Sequence, residues 1–111
     1  MFTHLHCHSH YSLLDGLSKV PDLVSAAKED GMTSLAITDH GVMYGAVEFF
    51  NECNEAGIKP IIGMEAYIAP RSMTDKEGKG DADYFHMTLL AESFEGYKNL
   101  NKLNSFAQEH L

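Results

Sequence analysis

The stretch THLHCHSHYSLLDG, residues 3–16, constrains the chain more than any other. It carries four of the seven histidines, at positions 4, 6, 8 and 10. In an extended strand, residues two apart share a face. His4, His6, His8 and, at the margin, His10 would then project together, with Leu5, Cys7 and Ser9 opposite. A row of imidazoles is poor material for an apolar core. It is good material for holding Zn, Mn, Fe or a similar divalent ion. The fold must therefore present one polar edge around this segment.

The rest of the chain alternates. Residues 3–8 read as a first strand and 9–19 as a polar loop containing Gly16. VPDLVSAAKEDG reads as a helix. Pro21 suits its first turn, Asp22 favours the positive end, Val20, Leu23, Val24 and Ala27 form an apolar stripe, and Gly31 stops it. Residues 34–38, SLAIT, are short and apolar, as expected of a buried strand ending in Asp39-His40-Gly41. A second helix is expected from about Tyr44 to Ala56, with Val47, Phe50 and Cys53 inward and Gly57 as its stop. Residues 58–69 read as a third strand with Pro60 near its start. Residues 70–83 are a long polar loop, solvated or lying over a site. FHMTLLA, 85–91, reads as a fourth strand, and a last helix runs from about Phe94 to Glu109 with Leu100, Leu103 and Phe106 or Ala107 inward. The order β-α-β-α-β-loop-β-α implies an α/β fold of mainly parallel strands with covering helices.

Sites in such folds collect at the carboxyl ends of the strands. That rule brings His6 and His8, Asp39 and His40, and Glu65 to one rim from three strands, with Asp15 beside them in the loop. Mixed His and carboxylate donors can hold a cluster of divalent ions, Glu65 bridging two of them. Such a pair can activate water and stabilise a leaving oxygen, the chemistry of phosphoester hydrolysis. His86 fits less readily, because it begins a strand rather than ending one. It reaches the rim only if the chain turns back after Glu65. His4 is expected in a supporting role and His10 toward solvent. His110, at a helix C-terminus, is expected to favour the negative end of the helix dipole.

Net charge narrows the field. At −8 with His neutral, the chain offers no basic groove for a phosphate backbone, so bound cations would have to supply positive charge. Cys7 and Cys53 match no zinc-knuckle spacing and read as small buried apolar residues rather than a disulfide. No apolar run reaches membrane-spanning length, and no basic-then-apolar leader opens the chain. We expect no membrane contact and a cytoplasmic protein.

HLHCHS, SLLDG, ITDHG, GAVEFF, IKPIIGMEAY and FHMTLLA, in that order, resemble the N-terminal PHP (polymerase and histidinol phosphatase) domain of bacterial DNA polymerase III alpha subunits. H-x-H and T-D-H alone would indicate only the PHP superfamily. TDHGVMYGAVEF and GIKPIIGMEAYIAP resemble the polymerase branch. The resemblance implies a distorted (βα) barrel with up to three metal ions. It matches His6 and His8 to the first motif, Asp15 to a loop ligand, His40 to the second motif, Glu65 to the third and His86 to a further ligand. Asp39 would orient a ligand from behind. The resemblance implies that with an intact site the domain can act as a metal-dependent 3′–5′ exonuclease that proofreads, whereas in members that have lost the ligands it is structural; the ligands present here favour the first case. The family's domain is roughly twice this long, so residues 1–111 would be its N-terminal portion, without the later strands and the polymerase domains. Expected partners are the DNA 3′ end and other replicase subunits. The alternatives are a stand-alone phosphoesterase of histidinol-phosphatase type and a non-catalytic, metal-stabilised scaffold.

Overall fold

A computed structural model describes residues 1–72, 74 and 84–109. His110 and nearly all of the expected 73–83 part of the polar loop lie outside the described residues. Helix α1 is Val20–Glu29, with Pro21 in its first turn, Asp22 near its positive end and Lys28 in its last turn. It buries Val20, Val24 and Ala27. Gly31, at φ +79°, turns the chain out of the helix and into strand β1, Ser34–Ile37. Helix α2, Ala46–Ala56, ends on Gly57 in the left-handed conformation, φ +75°, a region open to glycine at little steric cost. Strand β2, Lys59–Ile68, strand β3, Phe85–Leu90, and helix α3, Phe94–Glu109, complete the chain.

The core lies where α1 and α2 cover β1. Val20, Val24, Ala27, Leu35, Ile37, Phe49, Cys53 and Ile58 form one buried cluster. Its placement explains a correction to the expected face of α2. The buried residues are Ala46, Phe49 and Cys53, while Val47 and Phe50 face solvent. The backbone at Gly45 approaches so closely that an added Cβ would lie 2.8 Å from Tyr11 and 3.3 Å from Ile37. That approach fixes the rotation of the first turn, and one residue along a helix turns by about 100°. Helix α3 buries Leu100 against the rest, whereas Leu103 and Phe106 are exposed rather than inward.

The sheet order is β1-β2-β3. β1 and β2 are parallel, Ser34 facing Lys59 and Ile37 facing Ile62. The same register continues to an isolated bridge between His40 and Glu65. β2 and β3 are antiparallel, Tyr67 facing His86 and Glu65 facing Thr88. The architecture is mixed α/β, and the expectation of mainly parallel strands fails at β3, because the chain doubles back on β2 instead of crossing over.

The expected first strand, residues 3–8, does not form. The segment runs beside β1, and its carbonyls at His4 and Cys7 accept from the amides of Ala36 and Thr38 at 3.0 and 2.8 Å. Two steps from Ala36 to Thr38 thus match three from His4 to Cys7, an extra residue of the kind that makes a bulge. The Thr38 hydroxyl accepts from the Cys7 amide at 2.8 Å, so a side chain replaces a ladder bond.

Cys53 is fully buried, as expected, and Cys7 is half-buried. Burial, with the Glu52 charge adding to it, pushes the Cys53 thiol from its ordinary 9.0 up to about 11. Below pH 9 the thiol is neutral folded or unfolded. Between about 9 and 11 the unfolded thiol ionises first, so this residue's share of stability is lost as pH rises through that window. Thermal melts from pH 8 to 11 should show a steeper fall in Tm for the native protein than for Cys53→Ala. Parallel curves would show that the thiol is not the cause.

Candidate metal centre

Glu65 stands where the two ladders meet. Opposite residues in a ladder share a face, and diagonal neighbours two positions away remain within reach of long side chains. The bridge to His40 on one side and the diagonal to His86 on the other put both imidazoles on the face of Glu65. The antiparallel return of β3 is the condition the sequence set for His86 to arrive, and it is met.

The four imidazoles divide between the two carboxylate oxygens. Oε1 of Glu65 is in contact with Nε2 of His6 and lies 3.0 Å from Nε2 of His8. Oε2 lies 3.1 Å from Nδ1 of His86 and 3.5 Å from Nε2 of His40. Two groups of ligand atoms result, His6–His8–Glu65 and His40–Glu65–His86, each drawn together within 4.8 Å. Glu65 is buried and belongs to both. Burial pushes its carboxyl pKa up, but hydrogen bonds from His6 and His8 and the charges of His40 and His6 outweigh it. The carboxyl stays below the ordinary carboxylate value.

Asp15 enters neither group. Its oxygens lie 3.2 Å from Nδ1 of His8 and 2.7 Å from Nδ1 of His40. The Ser12 hydroxyl donates to it, and that bond, then the one from His40, holds its carboxyl below the ordinary range. A carboxylate on the far nitrogen of a ligating imidazole fixes the ring's tautomer and direction. Asp39, expected to orient a ligand, makes its side-chain bonds to Ser9. It is buried, and its carboxylate accepts from the Ser9 amide at 2.6 Å and the Ser9 hydroxyl at 2.7 Å. It fastens the chain immediately after His8.

The residues fit a divalent ion on three counts. His and carboxylate donors together suit Zn, Mn or Fe. His40 Nε2 is buried and makes no hydrogen bond. His8 has a carboxylate against each ring nitrogen, Asp15 at Nδ1 and Glu65 at Nε2, yet a neutral imidazole carries a single N–H. A cation held by His8 and Glu65 would remove that conflict.

The extra residue between His4 and Cys7 separates the row of imidazoles. His4 lines a cleft beneath α1 together with Cys7, Leu23 and Leu35, and its ring sits edge-on to Phe2 at 4.7 Å. His6 and His8 face Glu65. His10, expected toward solvent, is half-buried against the Tyr11 ring at 4.2 Å. Nothing in the sequence marks Ser9 and Ser12, both fully buried, because isolated serines carry no spacing signal. Tyr67 is a further residue beside the site. It stacks on His40 at 4.6 Å, and its position two residues after Glu65, on the same face, was the available clue.

Residues 4–111 match the PHP domain family. The chain belongs to the PHP domain family. Its sequence is 53% identical over 110 residues to the DNA polymerase III subunit alpha of Thermus aquaticus. It is 50% identical over 108 residues to that of Borreliella burgdorferi. Each alignment covers 96% of this chain and 9% of the relative, so the chain spans about a tenth of the length of these proteins. Among solved structures, this PHP chain superposes with a TM-score of 0.62 on a protein from Bifidobacterium adolescentis provisionally described as a metal-dependent phosphoesterase. That pair is 23% identical, covering 80% of this chain and 27% of the other. An amidohydrolase from Chromobacterium violaceum gives the same score at 22% identity, over 90% of this chain and 32% of that one. These two likenesses establish the fold.

Proposed function

We propose that the chain is the N-terminal portion, residues 1–111, of the PHP domain of a replicative DNA polymerase III alpha subunit, and that its site hydrolyses phosphoesters as a 3′–5′ exonuclease. The observation that carries the reading is Glu65, one buried carboxylate shared by two three-donor groups. His6 and His8 would hold one divalent ion, and His40 and His86 a second, with Glu65 between them. Asp15 would keep His8 and His40 aimed, or serve as a ligand itself as its family position implies. Zn, Mn or Fe would suit, up to three ions when later strands of a distorted (βα) barrel complete the site. Bound ions supply Lewis acidity toward phosphoryl oxygens and activate water. They also supply the positive charge that a chain of net charge −8 needs before it can receive nucleic acid.

The 50% and 53% identities to alpha subunits favour this reading over a stand-alone histidinol-phosphatase type. The DNA 3′ end and other replicase subunits are the corresponding partners. No described helix is long and apolar enough to cross a membrane. The test is elemental analysis of the full-length protein with a 3′–5′ hydrolysis assay, before and after chelation. We expect about two or more ions per chain, with hydrolysis lost on chelation and recovered on adding metal back. Hydrolysis that survives complete metal removal overturns the reading. Cleavage of small phosphate esters with none of a primer end favours the stand-alone phosphoesterase. Metal that raises Tm without hydrolysis favours the scaffold.

A further inference from the structure

Beside the donor groups stands an aromatic wall that metal holding does not require. The Tyr67 ring stacks on His40 at 4.6 Å and 25°. The Tyr84 ring meets Tyr67 edge-on at 4.7 Å and stacks near His86 at 5.7 Å. Tyr67 is seated from behind. Gly41, at φ +70°, brings its backbone so close that a Cβ there would lie 3.0 Å from Tyr67 Cε2. Yet Tyr67 and Tyr84 remain 50% and 55% exposed. Two rings touching candidate ligands, Tyr67 backed by Gly41 and both half-open to solvent, are poorly explained as core.

We infer that Tyr67 and Tyr84 form the stacking surface for the base of the nucleotide whose phosphate lies at the Glu65 centre. This rests on the phosphoester reading above and names its substrate class as a nucleotide end rather than a small phosphate ester. A nucleotide joins base to phosphate through one sugar. Tyr67 lies one ring away from His40, so a phosphate at the donor groups leaves its base against the tyrosines. Aromatic side chains stack on any base through its π-face, so the surface is tolerant of sequence, as an enzyme removing whichever nucleotide ends a strand requires. It also needs no positive charge, which the chain lacks in net terms. Tyr67 and Tyr84 act on position rather than on the reacting atoms.

The test uses the full-length, metal-loaded protein and two primers that differ only in whether the 3′-terminal nucleotide carries its base. Native protein should prefer the base-bearing end in kcat/KM by roughly tenfold, the scale of one lost stacking contact. Tyr67→Leu and Tyr84→Leu should each narrow that ratio, and Tyr67→Phe, which keeps the ring, should restore it. Because the ratio is taken within each variant, partial misfolding does not imitate the result. A 3′-terminal 2-aminopurine gives a separate binding readout, its fluorescence quenched by native protein and by Tyr67→Phe, and less by either leucine variant. Hydrolysis by native protein without discrimination between the primers, or discrimination that survives both leucine variants, overturns the inference and leaves the phosphoester reading standing. Absence of any hydrolysis by native protein overturns both.

Discussion

Replacing Glu65 with glutamine should strip metal from both donor groups at once. The substitution keeps size and shape but removes the charge, and it turns one of two acceptor oxygens into a donor amide. Whichever way the amide points, one pair of imidazoles meets N–H groups where it met a carboxylate oxygen. His6 and His8 lose Oε1, or His40 and His86 lose Oε2. Because Glu65 belongs to both groups, one group loses its oxygen donor outright and the other keeps only a neutral carbonyl oxygen in place of a charged carboxylate. Groups that merely orient a metal ligand change affinity or activity by about 10–100-fold when removed, and a shared ligand should matter at least as much. We expect hydrolysis to fall by on the order of a hundredfold or more, with metal content falling at both sites. His86→Ala is the informative contrast. It removes a donor from one group only and should leave about half the metal. Elemental analysis of the two variants against the native protein decides the matter. Full metal retention in Glu65→Gln would show that the carboxylate does not bridge. Equal losses in the two variants would show that the groups are not separate.

The sequence was most informative where chemistry and spacing coincide. His6, His8, His40 and Glu65 were expected on one rim, and they meet there because the β1–β2 register continues to His40 and Glu65. Helix α1 was legible for a similar reason, since Pro21, Asp22 and the Val20–Val24–Ala27 stripe are local signals that packing reinforced. What the sequence concealed was long-range. Whether FHMTLLA pairs parallel or antiparallel depends on the path of the preceding loop, not on its own residues. The extra residue opposite Ala36 and Thr38, which turns His4 away from His6, arises from a tertiary contact to the Thr38 hydroxyl. The rotation of α2 was set by the close approach of Gly45 to Tyr11 and Ile37. Asp15 and Asp39 were both legible as site carboxylates, but their partners were not. One faces imidazoles and the other a serine.

Gly16→Ala should break the loop that holds Asp15 in place, although Gly16 itself offers no ligand atom. A Cβ at this position would lie 1.9 Å from the Ser9 carbonyl oxygen, 2.8 Å from its carbon and 3.3 Å from the Ser12 carbonyl oxygen. These are backbone atoms, so no side-chain rotation relieves the clash. Residues 9–18 are drawn closed by bonds from the His10 amide to the Ser18 carbonyl and from the Ser12 amide to the Ser9 carbonyl, at 2.8 and 2.9 Å. Opening them to admit a methyl group shifts Ser9 away from Asp39 and Asp15 away from His8 and His40. The first displacement governs stability. Asp39 is 2% exposed, and a buried carboxylate that loses its donors costs about 1–3 kcal/mol or more per group. The second governs the site, since His8 and His40 would lose the carboxylate on Nδ1. We expect a loss of about 3 kcal/mol in denaturant unfolding, from the two Ser9 donors together. Metal affinity should also weaken by roughly 10–100-fold, as expected when an orienting carboxylate is removed. Asp15→Asn separates the two effects. It should weaken metal binding to a similar degree while leaving the Ser9–Asp39 bonds, and most of the stability, in place. A Gly16→Ala protein with native stability and native metal affinity would mean that the loop can move as a unit without disturbing either carboxylate.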